Sequence, residues 1–270
     1  MARRKDFCFE EASAPPRFIS ALFASYGVCH AFFTRLGGVS EGEFASLNFA
    51  CGSGEKRDTS GNVAANYAAA ARSFGLSAGD VCRVVQRHTD IVLRVSHADC
   101  GVGVTNESPA PVADGLFTTE SGVLLSVRTA DCVPVLIADK KGRFCAAVHS
   151  GWRGTAAGIS ARAVALARGA GIPPEDIIAA IGPCIGGECY EVGGELRGRL
   201  PAYLSGCFTP HGGKFLLDLT EANIKVLENC GIPSHNISCA DECTLCRGEL
   251  FFSHRRSGAV RGTMSSFIRI

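Results

Sequence analysis

The sequence predicts an α/β fold, a single-domain mixed-sheet layered sandwich. Strand-like apolar runs cluster between residues 123 and 149 instead of alternating one for one with helices, which argues against a doubly wound parallel sheet. Helix-like segments flank that cluster, and no repeat with a period of about 20 to 50 residues and no linker divides the chain. The polar segment 1–17, with Pro15-Pro16 near its end, reads as an N-terminal arm, and 18–270 as one domain.

The helices are expected over 62–74, 155–168 and 219–229, each followed by a glycine (Gly75, Gly169, Gly231) that can take the left-handed turn ending a helix. Strands are expected over 91–95, 123–129, 133–138, 144–149, 177–181, 251–254 and 264–270, short runs rich in β-branched or aromatic residues. The two runs between Cys132 and His149 are joined by the polar turn Asp139-Lys140-Lys141-Gly142 and read as an antiparallel hairpin.

Composition narrows the function. Twenty-seven Lys and Arg against 26 Asp and Glu leave a net charge of +1, too little for a protein whose main partner is nucleic acid or a membrane surface. No apolar run reaches the roughly 18 residues of a transmembrane helix, and the start Arg3-Arg4-Lys5-Asp6 leads into no signal-peptide core, so the chain reads as cytoplasmic. In that compartment the 14 cysteines are expected as reduced thiols, mostly small buried hydrophobes such as Cys29, Cys51, Cys82, Cys145, Cys207 and Cys230. No dinucleotide or phosphate-loop fingerprint occurs.

A loop centred between Lys140 and Lys141 would set Cys132 opposite His149, with Cβ atoms about 4.5 to 5.5 Å apart, close enough for thiolate and imidazole to share a cation. Pro134 cannot donate to a ladder, so the strand should begin or bulge beside Cys132. His88, in Gln86-Arg87-His88 just ahead of an apolar run, is the leading third ligand. His30, His97, His211 and His235 have no paired ligand spacing. Three protein ligands with one open position are the arrangement of catalytic zinc. Read from spacing alone, a strand histidine and two buried core residues explain the trio equally well. After His149, Gly151-Trp152-Arg153-Gly154 leads into a helix, a candidate anion cradle, and Arg35 stands before the paired glycines Gly37-Gly38. Cys239, Cys243 and Cys246, with His254 downstream, could hold a structural metal, but the spacing is loose and the other half of a paired Cys-x-x-Cys site is missing, so they are read first as thiols beside the pocket.

These motifs together resemble the YfiH-like family of laccase-domain proteins, regarded as purine nucleoside phosphorylases and formerly called multicopper polyphenol oxidases. The similarity runs over 32–270. It is carried by Thr34-Arg35-Leu36-Gly37-Gly38-Val39-Ser40, Ser46-Leu47-Asn48, Gln86-Arg87-His88, Ala113-Asp114-Gly115 and Thr129-Ala130-Asp131-Cys132-Val133-Pro134-Val135. Val148-His149-Ser150-Gly151-Trp152-Arg153-Gly154, Ile181-Gly182-Pro183-Cys184-Ile185-Gly186, Tyr190-Glu191-Val192-Gly193, Cys243-Thr244 and Phe252-Ser253-His254-Arg255-Arg256 complete the set. The resemblance implies zinc on His88, Cys132 and His149. It also implies phosphorolysis of adenosine, inosine and methylthioadenosine, adenosine deamination in some members and peptidoglycan editing in others. The chain departs from the pattern in Ser150, in the Arg255-Arg256 that directly follows His254, and in the order Arg261-Gly262-Thr263, which leaves Arg261 without an assigned role.

On this reading Arg35 and Arg153 hold phosphate, Asn48 helps bind substrate, and Asp131 either shuttles a proton or orients its neighbour. The partners are then purine nucleosides and phosphate. Three rivals stand beside it. Cys132 activated by His149 would make a thiol hydrolase or an amidase acting on peptidoglycan precursors. A copper polyphenol oxidase is disfavoured by seven histidines with no His-x-His pair. A metal-stabilised binding module would do no chemistry. The zinc deaminase signature is missing, since no His-x-Glu and no Pro-Cys-x-x-Cys occurs.

Overall fold

The strand-rich stretch lies at the centre of two six-stranded mixed sheets in a computed structural model that describes residues 3–52, 56–106 and 108–270. The first sheet runs in the order Phe7–Glu10, Arg17–Ser20, Cys29–Phe33, Met264–Arg269, Leu124–Thr129 and Val81–Cys82. The second runs Ile237–Cys239, Ile177–Ile181, Val133–Asp139, Cys145–Ser150, Gly115–Thr118 and Val92–Arg94. A small third sheet joins Glu191–Val192, Lys214–Leu217 and Phe208–His211.

The period of two along each strand explains the layering. In Val133–Asp139, the residues Val133, Val135 and Ile137 pack against Ala163, Val164 and Leu227 of the helices Ile159–Gly169 and Leu219–Asn229. Leu136 and Ala138 of the same strand pack instead against Leu125, Val127 and Ile268 of the first sheet. The first sheet's outer face, with Ala31, Phe33, Leu124 and Phe267, is covered by Tyr67, Ala70 and Ala71 of the helix Ser60–Arg72. The layers are therefore helix, sheet, sheet, helix. A strand covered on both faces is a continuous apolar run, and every residue of Val133–Asp139 is buried. Each large aliphatic side chain so placed contributes about 1.5–3 kcal/mol.

Helix ends follow local chemistry. Thr59 accepts from the Asn62 N–H to start Ser60–Arg72, and Asp218 accepts from the Glu221 N–H to start Leu219–Asn229. The single helix expected over 155–168 is instead two, Trp152–Ala157 and Ile159–Gly169, because Gly158 takes a left-handed conformation (φ 74°) and breaks the hydrogen-bond run. The strand expected over 251–254 is absent. Phe251 and Phe252 are buried in the core as irregular chain, and Ser253 caps the short helix His254–Ser257. The hairpin register is shifted by two residues: Pro134, not Cys132, pairs with His149, since the turn is centred between Lys141 and Gly142, where Gly142 has φ 68°. Of the 1–17 segment, Met1 and Ala2 lie outside the described residues, while Phe7–Glu10 pairs with Arg17–Ser20 as an edge strand.

Candidate metal centre

The ligand trio converges despite the shifted register. Ligand atoms of His88, Cys132 and His149 all lie within 4.8 Å of one another, with Cys132 Sγ 3.9 Å from His88 Nε2 and the two imidazole centroids 5.0 Å apart. His149 is buried on Cys145–Ser150, Cys132 is half-buried just before Val133–Asp139, and His88 is exposed on a loop. The cluster thus opens toward solvent on the side of His88. Two backbone features bring it together. Asp131 (φ 88°) turns the chain directly before Cys132, and His88 itself has φ 60°. Such left-handed positions cost on the order of 1–3 kcal/mol each and persist only where neighbouring contacts hold them.

Asp114 does much of that holding. Its buried carboxylate accepts from the N–H groups of Arg87 (3.0 Å), His88 (3.0 Å) and Thr89 (2.6 Å), from the Thr89 hydroxyl (2.8 Å) and from His149 Nδ1 (2.8 Å). Burial alone would raise its pKa, but His149 and the N–H donors outweigh that and hold the carboxyl well below the usual carboxylate range. Sequence reasoning gave Asp114 no role, since nothing in Ala113-Asp114-Gly115 reveals a contact 35 residues away.

Cys132 and His149 are electrostatically poised as a pair. Burial would push the Cys132 thiol up, yet the adjoining His149 and His88 imidazoles bring it down to about 6. Burial would likewise lower His149, but Cys132 and Asp114 raise it to about 9. Close approach also constrains Gly151, where a Cβ would stand 2.7 Å from Cys132 Sγ and 3.2 Å from His88 Cδ2.

The donor set fits a borderline-soft divalent cation. One thiolate and two imidazoles converge, one imidazole carries a carboxylate on its other nitrogen, and an exposed side remains for a further ligand.

A cavity of about 350 Å³ adjoins the cluster, within the range of small-molecule sites, and is walled by Trp152, Arg153, Tyr190, Arg255 and Arg261 as well as His88 and Cys132. The Arg153 guanidinium lies 4.4 Å from the Trp152 ring centroid, and Arg255 lies 5.0 Å from that of Tyr190. Arg261 has a buried Nε with no hydrogen-bond partner. The helix after Gly151 has only six residues, so the expected cradle of backbone N–H groups rests mainly on the Arg153 side chain.

Of the other expected site residues, Arg35 and Asn48 lie outside this cavity, and Asp131 lines it. Arg35 donates to the Ala45 carbonyl (2.8 Å) and the Gly248 carbonyl (3.2 Å), stacks on Phe252, and lines a neighbouring hollow that shares Arg261 with the first. Asn48 is fully buried: its amide donates to Ala50 and Asp58 and accepts from Ala50 and Thr263, so it braces loops. Asp131 lines the cavity, but its carboxylate accepts from Thr244 Oγ1 (2.6 Å), Ser253 Oγ (3.0 Å) and the Arg255 N–H (2.6 Å). That pattern positions the neighbouring Cys132 and Arg255.

The family model described as multi-copper polyphenol oxidoreductase laccase matches residues 29–270. The chain is 38% identical over 244 residues to a Geobacillus stearothermophilus protein named purine nucleoside phosphorylase YlmD, covering 87% of each. It is 35% identical over 246 residues to Escherichia coli purine nucleoside phosphorylase YfiH, covering 90% of this chain and 93% of that one. Two solved structures superpose along nearly the whole chain. The hypothetical protein YfiH of Bacillus licheniformis has a TM-score of 0.88 at 33% identity, and YlmD of G. stearothermophilus has 0.87 at 34%, each with 98% of both chains covered. Among the described residues no helix is long and apolar enough to cross a membrane.

Proposed function

Since the chain belongs to the multi-copper polyphenol oxidoreductase laccase family, we propose that it is a zinc-dependent purine nucleoside phosphorylase acting on adenosine, inosine or methylthioadenosine. The observation that carries this reading is the meeting of the His88, Cys132 and His149 cluster with Arg153, Arg255 and Arg261 around one cavity. Its relatives named purine nucleoside phosphorylase support the reaction class.

His88, Cys132 and His149 would hold the metal, with Asp114 fixing the His149 tautomer. When bound, the cation supplies Lewis acidity toward a substrate atom. Arg153 and Arg261 supply the positive charge that draws inorganic phosphate into the cavity and holds it against the sugar. As the bond to the purine breaks, the ribose gains oxocarbenium character, and the bound anion on its open face both balances that charge and becomes the nucleophile. Tyr190 and Trp152 offer aromatic surface for the base. Asp131 acts as a positioning residue.

Zinc fits this donor set better than copper. Trigonal copper sites built on the same donors commonly add a weak axial methionine, and Met264, the one methionine of the described residues, is buried in the core between the two sheets, where its sulfur accepts the Phe252 N–H at 3.0 Å.

Incubating purified protein with inosine or adenosine and separating the products tests the proposal. Free hypoxanthine or adenine should form only with phosphate present, and His149→Ala should abolish it. Equal release without phosphate, or full activity in the variant, overturns the reading. The same chromatogram reports deamination of adenosine to inosine.

A second reading is favoured by one arrangement, Cys132 beside His149 with Asp114 behind it, which matches a thiol nucleophile, base and orienting acid. Rapid alkylation of Cys132 in the zinc-loaded protein would favour it over the metal reading.

A further inference from the structure

A second group of thiols converges outside the cavity. Cys243-Thr244-Leu245-Cys246 forms a tight turn, and the loop that follows Ile177–Ile181 brings Cys189 to it. The three sulfurs lie within 4.8 Å of one another, and Cys189 Sγ is 3.3 Å from Cys246 Sγ. Cys239, grouped with Cys243 and Cys246 by sequence, is buried at the end of Ile237–Cys239 and is not part of this cluster, and neither is His254.

We propose that Cys189, Cys243 and Cys246 form a second metal site, a three-thiolate seat for a thiophilic d10 cation, Zn(II) or Cu(I). Metal–sulfur bonds of about 2.3 Å require sulfurs about 3.8 Å apart in a tetrahedral site and about 4.0 Å in a trigonal one. The 3.3 Å between Cys189 and Cys246 is slightly shorter than those values and all three sulfurs lie within 4.8 Å, so small side-chain rotations complete the seat. The backbone is already shaped for it. The Gly186 N–H donates to Cys243 Sγ at 3.2 Å, as backbone donors do to a ligating thiolate. Gly186 is constrained as Gly151 is at the first cluster, since a Cβ there would lie 3.2 Å from Cys243 Sγ. Cys246 is exposed and Cys189 and Cys243 are half-buried, so the seat is open to an ion from solvent and to a fourth ligand. The sulfurs face a broad hollow that also carries Glu188, with Asp218 and Asp241 in ion pairs to Arg3 and Lys5.

The ion staples one segment that lines the candidate active cavity to another that braces it. Cys189 precedes Tyr190, which lines that cavity, and Cys243 precedes Thr244, whose hydroxyl holds Asp131 beside Cys132. Filling the second seat therefore stiffens the first site without touching its ligands.

Metal analysis of reduced protein tests this independently of any activity. The wild-type chain should hold two equivalents of zinc, and Cys189→Ser/Cys246→Ser one. His149→Ala should retain one equivalent, which is lost when all three substitutions are combined. Parallel titrations with Zn(II) and Cu(I) identify the preferred ion. Cobalt substitution of His149→Ala should give thiolate charge-transfer bands that weaken by about a third in Cys246→Ser. Wild-type stoichiometry unchanged by the double serine substitution would overturn the proposal. So would a His149→Ala chain that stays folded, keeps three free thiols here and binds neither ion, or a Cys189–Cys246 disulfide in protein isolated under reducing conditions.

Discussion

Asp114 Oδ1 lies 2.8 Å from His149 Nδ1, and the same carboxylate accepts the N–H groups of Arg87, His88 and Thr89. One buried side chain therefore orients two of the three candidate ligands: it fixes the His149 ring, leaving Nε2 as the free ligand atom, and it clamps the loop that carries His88. Such charge-assisted bonds are worth about 1.5–3 kcal/mol each.

Asp114→Asn preserves the shape but replaces one acceptor oxygen with a donor. Zinc affinity should fall about 10- to 100-fold in a chelator competition, and the melting temperature should drop. Asp114→Ala, which strands all three N–H groups, should be the less stable of the two. Unchanged zinc affinity in Asp114→Asn would show that the carboxylate does not set the ligand geometry.

Gly151→Ala separates the site from the fold. Gly151 has φ −72°, which alanine adopts freely, so the obstacle is the space its Cβ would take, 2.7 Å from Cys132 Sγ and 3.2 Å from His88 Cδ2. The expected result is loss of stoichiometric metal at this cluster with a nearly unchanged melting temperature. Full metal occupancy would mean that Cys132 moves aside at no cost.

The signs of two pKa shifts set a pH dependence. A raised imidazole pKa gives stability that is complete below the ordinary His value of 6.5 and is lost as pH rises through about 9. A depressed thiol pKa gives stability that is complete above the ordinary Cys value of 9.0 and is lost as pH falls through about 6. Across the shared window the two trends oppose, since a thiolate–imidazolium pair binds as many protons as a neutral thiol and imidazole. The metal-free chain should therefore show little pH dependence of stability from this pair between pH 6.5 and 9. Metal binding must displace the His149 proton in that window, so zinc affinity should rise about tenfold per pH unit. Calorimetry in buffers of different ionisation enthalpy measures the released proton, and release of none would contradict the pairing.

The layered sandwich was legible because residues 133–138 and 144–148 are apolar without interruption, the mark of strands covered on both faces. The meeting of Cys132 and His149 was legible from the same hairpin although its register is two residues off, because Cys132 reaches His149 through the left-handed turn at Asp131 and not through the ladder. A local reading misled at Phe251-Phe252, where burial without pairing has the composition of a strand, and at Gly158, which interrupts an otherwise continuous helical pattern. Loop arginines were the hardest to place. Arg35 and Arg261 both lie within two residues of a glycine, and only tertiary contacts show that the first is spent on carbonyl groups while the second faces the cavity.

Asp131 offers a direct contrast between positioning and proton transfer. Its three accepted hydrogen bonds leave little capacity for a substrate proton. Asp131→Asn tolerates the left-handed backbone, so the chain should fold with reduced stability and reduced kcat, and the pH–rate profile should keep its shape. Loss of one limb of that profile would instead identify Asp131 as the proton carrier.

The two arginines separate by kinetics. Arg261 lines the cavity with its buried Nε unpartnered, so an anion gains a donor there that no protein group uses. One charge-assisted bond of about 1.5–3 kcal/mol corresponds to a tenfold or greater rise in KM for phosphate in Arg261→Ala, with metal content unchanged. Arg35 already donates to the carbonyls of Ala45 and Gly248 and stacks on Phe252, so Arg35→Ala should lower the melting temperature while KM for phosphate changes less than about threefold. The opposite outcome, a phosphate defect in Arg35→Ala and none in Arg261→Ala, would move the anion into the neighbouring hollow beside Arg256 and away from the metal ligands.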